Sequence, residues 1–350
     1  MRRPVLVPGL AALSVLACQA PFPPPSEVKE LRVLATRAEP ASGTPGATVS
    51  MDLVVADGGG DPNATQPREL ELAWFAGCHN PPTRQFFACY PYLQALAAQA
   101  PTRLRDVELT ALPPGSLGFG DRFELRLPEN ILSAAPRVPS DPVHFGVSYV
   151  FFAVCAGELR TRPELGDRVP LACVDPQTDV ELGREDFVTG FATLFSYENG
   201  VNENPALESV TFDGAPLVET ACTEDTDCES LDGAASFVCG PLGRCARKVA
   251  PCARSANPCP PFRVTPGITR SSAETLPTDE GEIVWAKFYA TQGRFEHDAQ
   301  LVNDRKTGWV DGVASNWRAR DADGFVRLWV TLHDQRGGAD FRSFELFVGE

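Results

Sequence analysis

Cysteine placement constrains this chain more than any other feature. There are 11 cysteines in 350 residues, grouped as Cys18 alone, Cys78 with Cys89, Cys155 with Cys173, and six from Cys222 to Cys259. An odd total leaves one over if the rest pair, and Cys18 stands apart by position. Local grouping suggests a Cys78–Cys89 bridge stapling HNPPTRQFFA. It also suggests a Cys155–Cys173 bridge closing a loop of about 19 residues, worth ~3 kcal/mol by loop entropy. The block ACTEDTDCESLDGAASFVCGPLGRCARKVAPC is open to several connectivities. Equal gaps within its first and second pairs of cysteines favour an interlocked Cys222–Cys239 and Cys228–Cys245, leaving Cys252 with Cys259; the other connectivities stay open. A module of about 40 residues cannot bury enough apolar surface unaided, and covalent staples offset that deficit.

The start MRRPVLVPGLAALSVLAC has two arginines, an uncharged and mostly apolar run from Pro4 to Ala17, and a small residue before cysteine. That is the layout of an export signal, and the run is shorter than the ~20 residues a bilayer span needs. Val15, Leu16, Ala17 and Cys18 resemble the bacterial lipobox, in which cleavage precedes a cysteine carrying diacylglycerol. The resemblance implies a signal peptide over 1–17 and a lipid on Cys18. With Gln19 next, it implies sorting to the outer membrane, facing either the periplasm or the surface. The following QAPFPPPSEVKE, with prolines at 21 and 23 to 25, reads as an extended tether over 18–29.

Composition excludes some functions. A formal net charge of −15 repels phosphate backbones, which argues against a nucleic-acid partner. With 43% hydrophobic and 22% charged residues there is apolar material for true cores, and the length suits about two domains.

Period-two alternation dominates the rest. In ATVSMDLVVAD, Val49, Met51, Leu53 and Val55 alternate with Thr48, Ser50 and Asp52. ELELAWF repeats the pattern with Leu70, Leu72 and Trp74. Further strands are expected at 31–40, 105–112, 121–128, 143–155 and 185–197, and PYLQALAAQA at 91–100 reads as the helix. The uniformly apolar FGVSYVFFAVCAG is too short to span a membrane and reads as a buried strand. A second unit starts near NPALESVTFDGAPL, resumes at EGEIVWAKFYATQGRF, and closes with the hairpin VRLWVTLHDQRGGADFRSFELFV. There Val326, Leu328, Val330 and Leu332 share a face, and DQRGG supplies glycines for the reversal. The expected fold is all-β: two antiparallel sandwiches, at 30–198 and 199–350, the second carrying a disulfide-rich insertion at about 220–262. VLATRAEPASGTPGATVSMDLVVAD, YATQGRF and the final hairpin resemble immunoglobulin-like and PKD-like bacterial surface domains, and both halves resemble immunoglobulin-like lipoproteins of Gram-negative bacteria. That resemblance implies a fold and supplies no catalytic or ligand-binding residue.

No GxSxG, HExxH, GxxxxGK[ST] or GxGxxG occurs, so no enzyme is expected, a hydrolase triad assembled from distant residues being the alternative. No CxxC occurs and the four histidines are scattered, so neither metal nor cofactor is expected. Asp225, Asp227, Glu229 and Asp232 lack the spacing of a calcium loop and read as solvated acids. Trp309 and Trp317 fall in the loop-like NDRKTGWVDGVASNWRARDADG. Exposed there, they would form a platform for a glycan; capping the core is the favoured alternative for large aromatics, and for Phe86 and Phe87 too. The sequence reading is therefore a lipid-anchored binding, adhesion or envelope-structural module with a protein or glycan ligand.

Overall fold

Alternating hydrophobicity turns most of the chain into antiparallel strands, which the computed structural model arranges as two β-sandwich units. It describes residues 24–61, 63, 68–139, 142–165, 168–229, 231, 237–252, 259–276, 280–319 and 323–349. Cys18, the signal segment 1–17 and tether residues 18–23 lie outside the described residues, as does Asp232.

The first unit contains β1 (Leu31–Glu39), β2 (Thr48–Asp57), β3 (Glu71–His79), α1 (Tyr90–Ala97), β4 (Leu117–Phe119), β5 (Arg122–Arg126), β6 (Phe145–Cys155), β7 (Glu158–Thr161), β8 (Leu171–Val174) and β9 (Phe187–Tyr197). A β1-β2-β5 sheet packs on a β4-β3-β6-β9 sheet. Between them Trp74 is fully buried, stacked on Phe123 at 5.8 Å, with its indole N–H donating to the Gly120 carbonyl at 2.9 Å. β6 shows no alternation because it is covered on both sides. Val150, Phe152 and Val154 face the sandwich core, while Phe151, Ala153 and Cys155 face a third layer. That layer is made from α1, whose Leu93, Leu96 and Ala97 form its buried stripe, and from the β7–β8 hairpin. Disulfides Cys78–Cys89 and Cys155–Cys173 fasten the two insertions to the ends of β3 and β6.

The second unit contains β10 (Leu207–Phe212), β11 (Ala215–Pro216), β12 (Phe237–Cys239), β13 (Cys245–Val249), β14 (Phe262–Ile268), β15 (Val284–Ala290), β16 (Arg294–Phe295), β17 (Ala299–Asp304), β18 (Gly308–Trp309), β19 (Ser315–Arg318), β20 (Gly324–Asp334) and β21 (Ala339–Val348). Its sheets are β11-β10-β14-β19-β16 and β12-β13-β21-β20-β15-β17-β18. Counting main strands only, both units set the first, second and fifth against the fourth, third, sixth and seventh, an immunoglobulin-like order. Val326, Leu328, Val330 and Leu332 of β20 are all buried in the core, with Phe212, Phe288 and Phe295.

Several expectations need correction. The 105–112 strand is absent; the segment forms two short 3-10 turns, Leu104–Asp106 and Leu109–Ala111, with Leu104 and Leu112 buried in the core, Val107 partly buried against it and Leu109 exposed. The stretch after Val302 that reads as loop carries β18 and β19, which pair with β17 and with β14 and β16. Residues 24–29 are no free tether. Val28 is fully buried, its N–H donates to the Ala290 carbonyl at 2.9 Å, and the Ala290 N–H returns a bond to Ser26 at 2.9 Å. Trp317 is fully buried and its N–H donates to the Gln292 carbonyl at 3.0 Å, so it cannot stack on a ligand.

Candidate functional site

The reversal DQRGG at the tip of the β20–β21 hairpin does more than turn the chain. Asp334 accepts from the amides of Arg336 and Gly338, both at 2.8 Å, which shapes the turn. Gly337 holds φ 95°, where a side chain would be strained. The second Asp334 oxygen accepts from Asn202 Nδ2 at 3.1 Å, in the linker between the units. Asn202 in turn binds Ser42 of the first unit, its amide donating to Ser42 Oγ at 2.7 Å. Asn204 bridges likewise: its side chain donates to the Ala38 carbonyl at 2.7 Å and accepts from the Ala339 amide at 2.9 Å. Burial pushes the Asp334 carboxyl up from its ordinary pKa, against the hydrogen bonds it accepts.

Arg336 completes the seam. Its Nε donates to buried Glu282 at 2.6 Å, a second nitrogen pairs with Glu274, and Nη1 donates to the Val201 carbonyl at 3.3 Å. Burial pulls this guanidinium's pKa down, but the hydrogen bonds it donates to Glu282 and Glu274 outweigh that and hold the pKa above its usual value. The guanidinium also lies 6.0 Å from the Tyr197 ring centre, and burial pushes the Tyr197 phenol up to about 12. Beside these polar ties, Leu34, Ala35, Val54 and Ala56 of the first unit pack on Trp329 of the second.

This seam borders a cleft of about 660 Å³ lined from both units, with Phe145, Tyr197 and Val201 on one side and Leu276, Arg305 and Arg336 on the other. Arg305 donates to Gln335 at 2.7 Å and pairs with Glu280 at 3.5 Å. Among the described residues, each cation of the wall has a carboxylate partner within the protein, Arg305 with Glu280 at the surface and Arg336 with Glu274 and Glu282. The size and the domain-junction position are those of small-ligand sites.

The residues singled out in the sequence are dispersed. The structure joins Cys222 to Cys239, Cys228 to Cys245, and Cys252 to Cys259. The sulfurs of Cys222, Cys228 and Cys245 lie within 4.8 Å of one another, yet each is in a disulfide and none is the thiolate a metal requires. Asp225 accepts from the Cys239 amide at 2.8 Å, and Asp227 accepts from Thr223 and Glu224, so both carboxylates organise the cystine module. Trp309 is half-buried, with Arg270 5.9 Å from its ring centre. Phe86 packs against the third layer, while Phe87 is 49% exposed. His79 Nδ1 sits 2.8 Å from Ser148 Oγ, but Ser148 is fully buried and its hydroxyl cannot reach a substrate. Asn202, Asp334, Arg336 and Glu282 carry no motif; the paired glycines of the turn were the one signal near them.

No family model matches the chain, and no curated protein matches it significantly. Among solved structures it is similar to Escherichia coli alpha-2-macroglobulin activated by porcine elastase, at 11% identity over 92% of this chain and 22% of that one, TM-score 0.21. It is also similar to dimeric latent PorU from Porphyromonas gingivalis, at 10% identity over 92% and 24%, TM-score 0.20. A third is the three N-terminal domains of the bacteriophage RB49 Highly Immunogenic Outer Capsid protein, at 7% identity over 91% and 100%, TM-score 0.16. The chain thus spans about a quarter of the first two or less. TM-scores this low say nothing about function.

Proposed function

We propose that the chain is a lipid-anchored, non-catalytic envelope module, held to the outer membrane through Cys18, which presents two joined sandwiches as a binding and structural element. The observation that carries this reading is the seam: Arg336, Asp334 and Asn202 tie linker, hairpin tip and first unit together, and the interdomain cleft lies beside them. An uncharged ligand, glycan or peptide, suits a cleft whose ion pairs are internally closed. A tryptophan platform is not part of this reading, since Trp317 is core.

Anchoring has a direct test. Each buried acyl methylene contributes about 0.8 kcal/mol, so two or more chains hold a protein firmly to a membrane. Membrane fractionation of the natural chain and of Cys18→Ala is expected to move the protein from the membrane pellet to the soluble exported fraction, or to leave an unprocessed precursor. A Cys18→Ala protein that is processed and still stays membrane-bound, or an unmodified Cys18 by mass spectrometry of the natural chain, would refute the anchor.

A further inference from the structure

Residues 24–31 leave the fold at one end of both sandwiches. The Ser26 carbonyl and the Val28 amide hold Ala290 of the second unit, both at 2.9 Å. In the first unit the Glu30 carbonyl accepts from the Gly58 amide at 3.2 Å, and the Leu31 amide donates to Glu185 at 3.0 Å. Arg32 secures the segment by donating to the Pro25 carbonyl at 2.7 Å. Strand register extends that end across the molecule. Ala290 lies opposite Leu328, near the point where β20 begins at Gly324, opposite Val348 at the end of β21. The loop after Asp57 reaches the same place, Asn63 accepting from the Phe325 amide at 3.1 Å.

The interdomain cleft lies at the other end. There Val284, the first residue of β15, stands opposite Asp334, and the cleft residues Gln335 and Arg336 follow in the turn. Ala290 and Val284 are six residues apart, about 20 Å of strand. Cys18 is likewise six residues from Pro24, and a fully extended chain of that length reaches at most about 20 Å. Turning the cleft towards the lipid would use that whole reach to run back along β15, with none left to pass the turn. Charge singles out the same end as the tether does. β16 and β19 set Arg294 directly opposite Arg318, and like charges so placed repel. Arg294 is exposed, Arg318 is half-buried with no hydrogen-bond partner for its Nε, and neither forms an ion pair among the described residues. Glu296 beside them is taken by Asn316, whose Nδ2 donates to it at 2.7 Å.

We propose that this end of the molecule is a membrane-facing surface, with Arg294 and Arg318 against the phosphates of anionic phospholipids and the interdomain cleft held outward on the far side. The proposal rests on the lipid anchor at Cys18 and adds an orientation to it. The chain as a whole carries a net charge of −15, so an anionic bilayer repels most of its surface, and approach is favoured where two cations are uncommitted. Tether length and charge therefore select the same face independently. A ligand of the cleft then meets the protein from the aqueous side, clear of the headgroups.

The test uses the natural, lipidated chain in vesicles of phosphatidylethanolamine and phosphatidylglycerol, doped with a phospholipid bearing a nitroxide on its headgroup. A fluorophore is attached through Asp323→Cys, exposed just before β20, or through Ser271→Cys, exposed at the cleft end beyond Ile268 of β14. Quenching is expected to be several-fold stronger at the first label than at the second. Arg294→Glu, an exposed change that gives Arg318 a carboxylate partner, should remove both uncommitted charges and lower the quenching at the first label. Flotation with the vesicles reads the anchor separately: a chain that does not float removes anchor and orientation together. In a chain that floats, equal quenching at the two labels, or quenching at the first label untouched by Arg294→Glu, overturns the orientation and leaves the anchor standing.

Discussion

His333 shows how one side chain sets a pH response. It lies on β20 with its ring stacked on Trp285 at 5.7 Å and its Nε2 2.9 Å from Thr331 Oγ1. Burial, helped by the charge of Lys287, lowers its pKa from 6.5 to about 4. A lowered histidine pKa means the unfolded chain takes up the proton first, so stability is lost as pH falls through that window. The loss from this residue amounts to at most about 3 kcal/mol. Chemical denaturation of the natural chain and of His333→Gln at pH 7 and pH 4.5 should show a smaller acid-induced loss in the variant. Equal losses in the two proteins would remove His333 as the cause.

At the scale of elements, the cystine-rich insertion is an edge cover: β13 protects β21, and the bridges hold β13 in place. The Cys228–Cys245 bridge, with a sequence separation of 17, contributes about 3 kcal/mol by the loop-entropy estimate. Replacing both cysteines by alanine should speed hydrogen exchange in β13 and along the β13-facing side of β21, and leave β9 unchanged. Unaltered protection of β21 would mean that the bridge does not support the cover. Much of the strand pattern was legible in the sequence, because Val49, Met51 and Leu53, or Val326 to Leu332, bury alternate residues against one core. The helix was legible from its Leu93, Leu96 and Ala97 stripe. Segment 105–112 misleads because its alternation has no partner strand. The short β18 and β19 were hidden because β18 has two residues and β19 four, and each takes its register from distant strands. The role of β13 could not be read either, since nothing local says that Arg247 will lie opposite Leu346.

For the whole molecule the decisive contacts are long-range. Asn202 meets Asp334 across 132 residues and Ser42 across 160, and Arg336 meets Glu282 across 54. Polar residues in turns and linkers have no periodicity, so the candidate site was legible only as a glycine turn, and its partners were not. These ties predict that the two sandwiches unfold together. Arg336→Ala strands buried Glu282 without its partner, a change that costs about 3–5 kcal/mol when a buried pair is broken. Differential scanning calorimetry of the oxidised chain carrying Cys18→Ala tests this most directly. The seam predicts one cooperative transition, which Arg336→Ala lowers and splits into two. Two separate transitions before that substitution, with Arg336→Ala moving only the one belonging to the second unit, would contradict it.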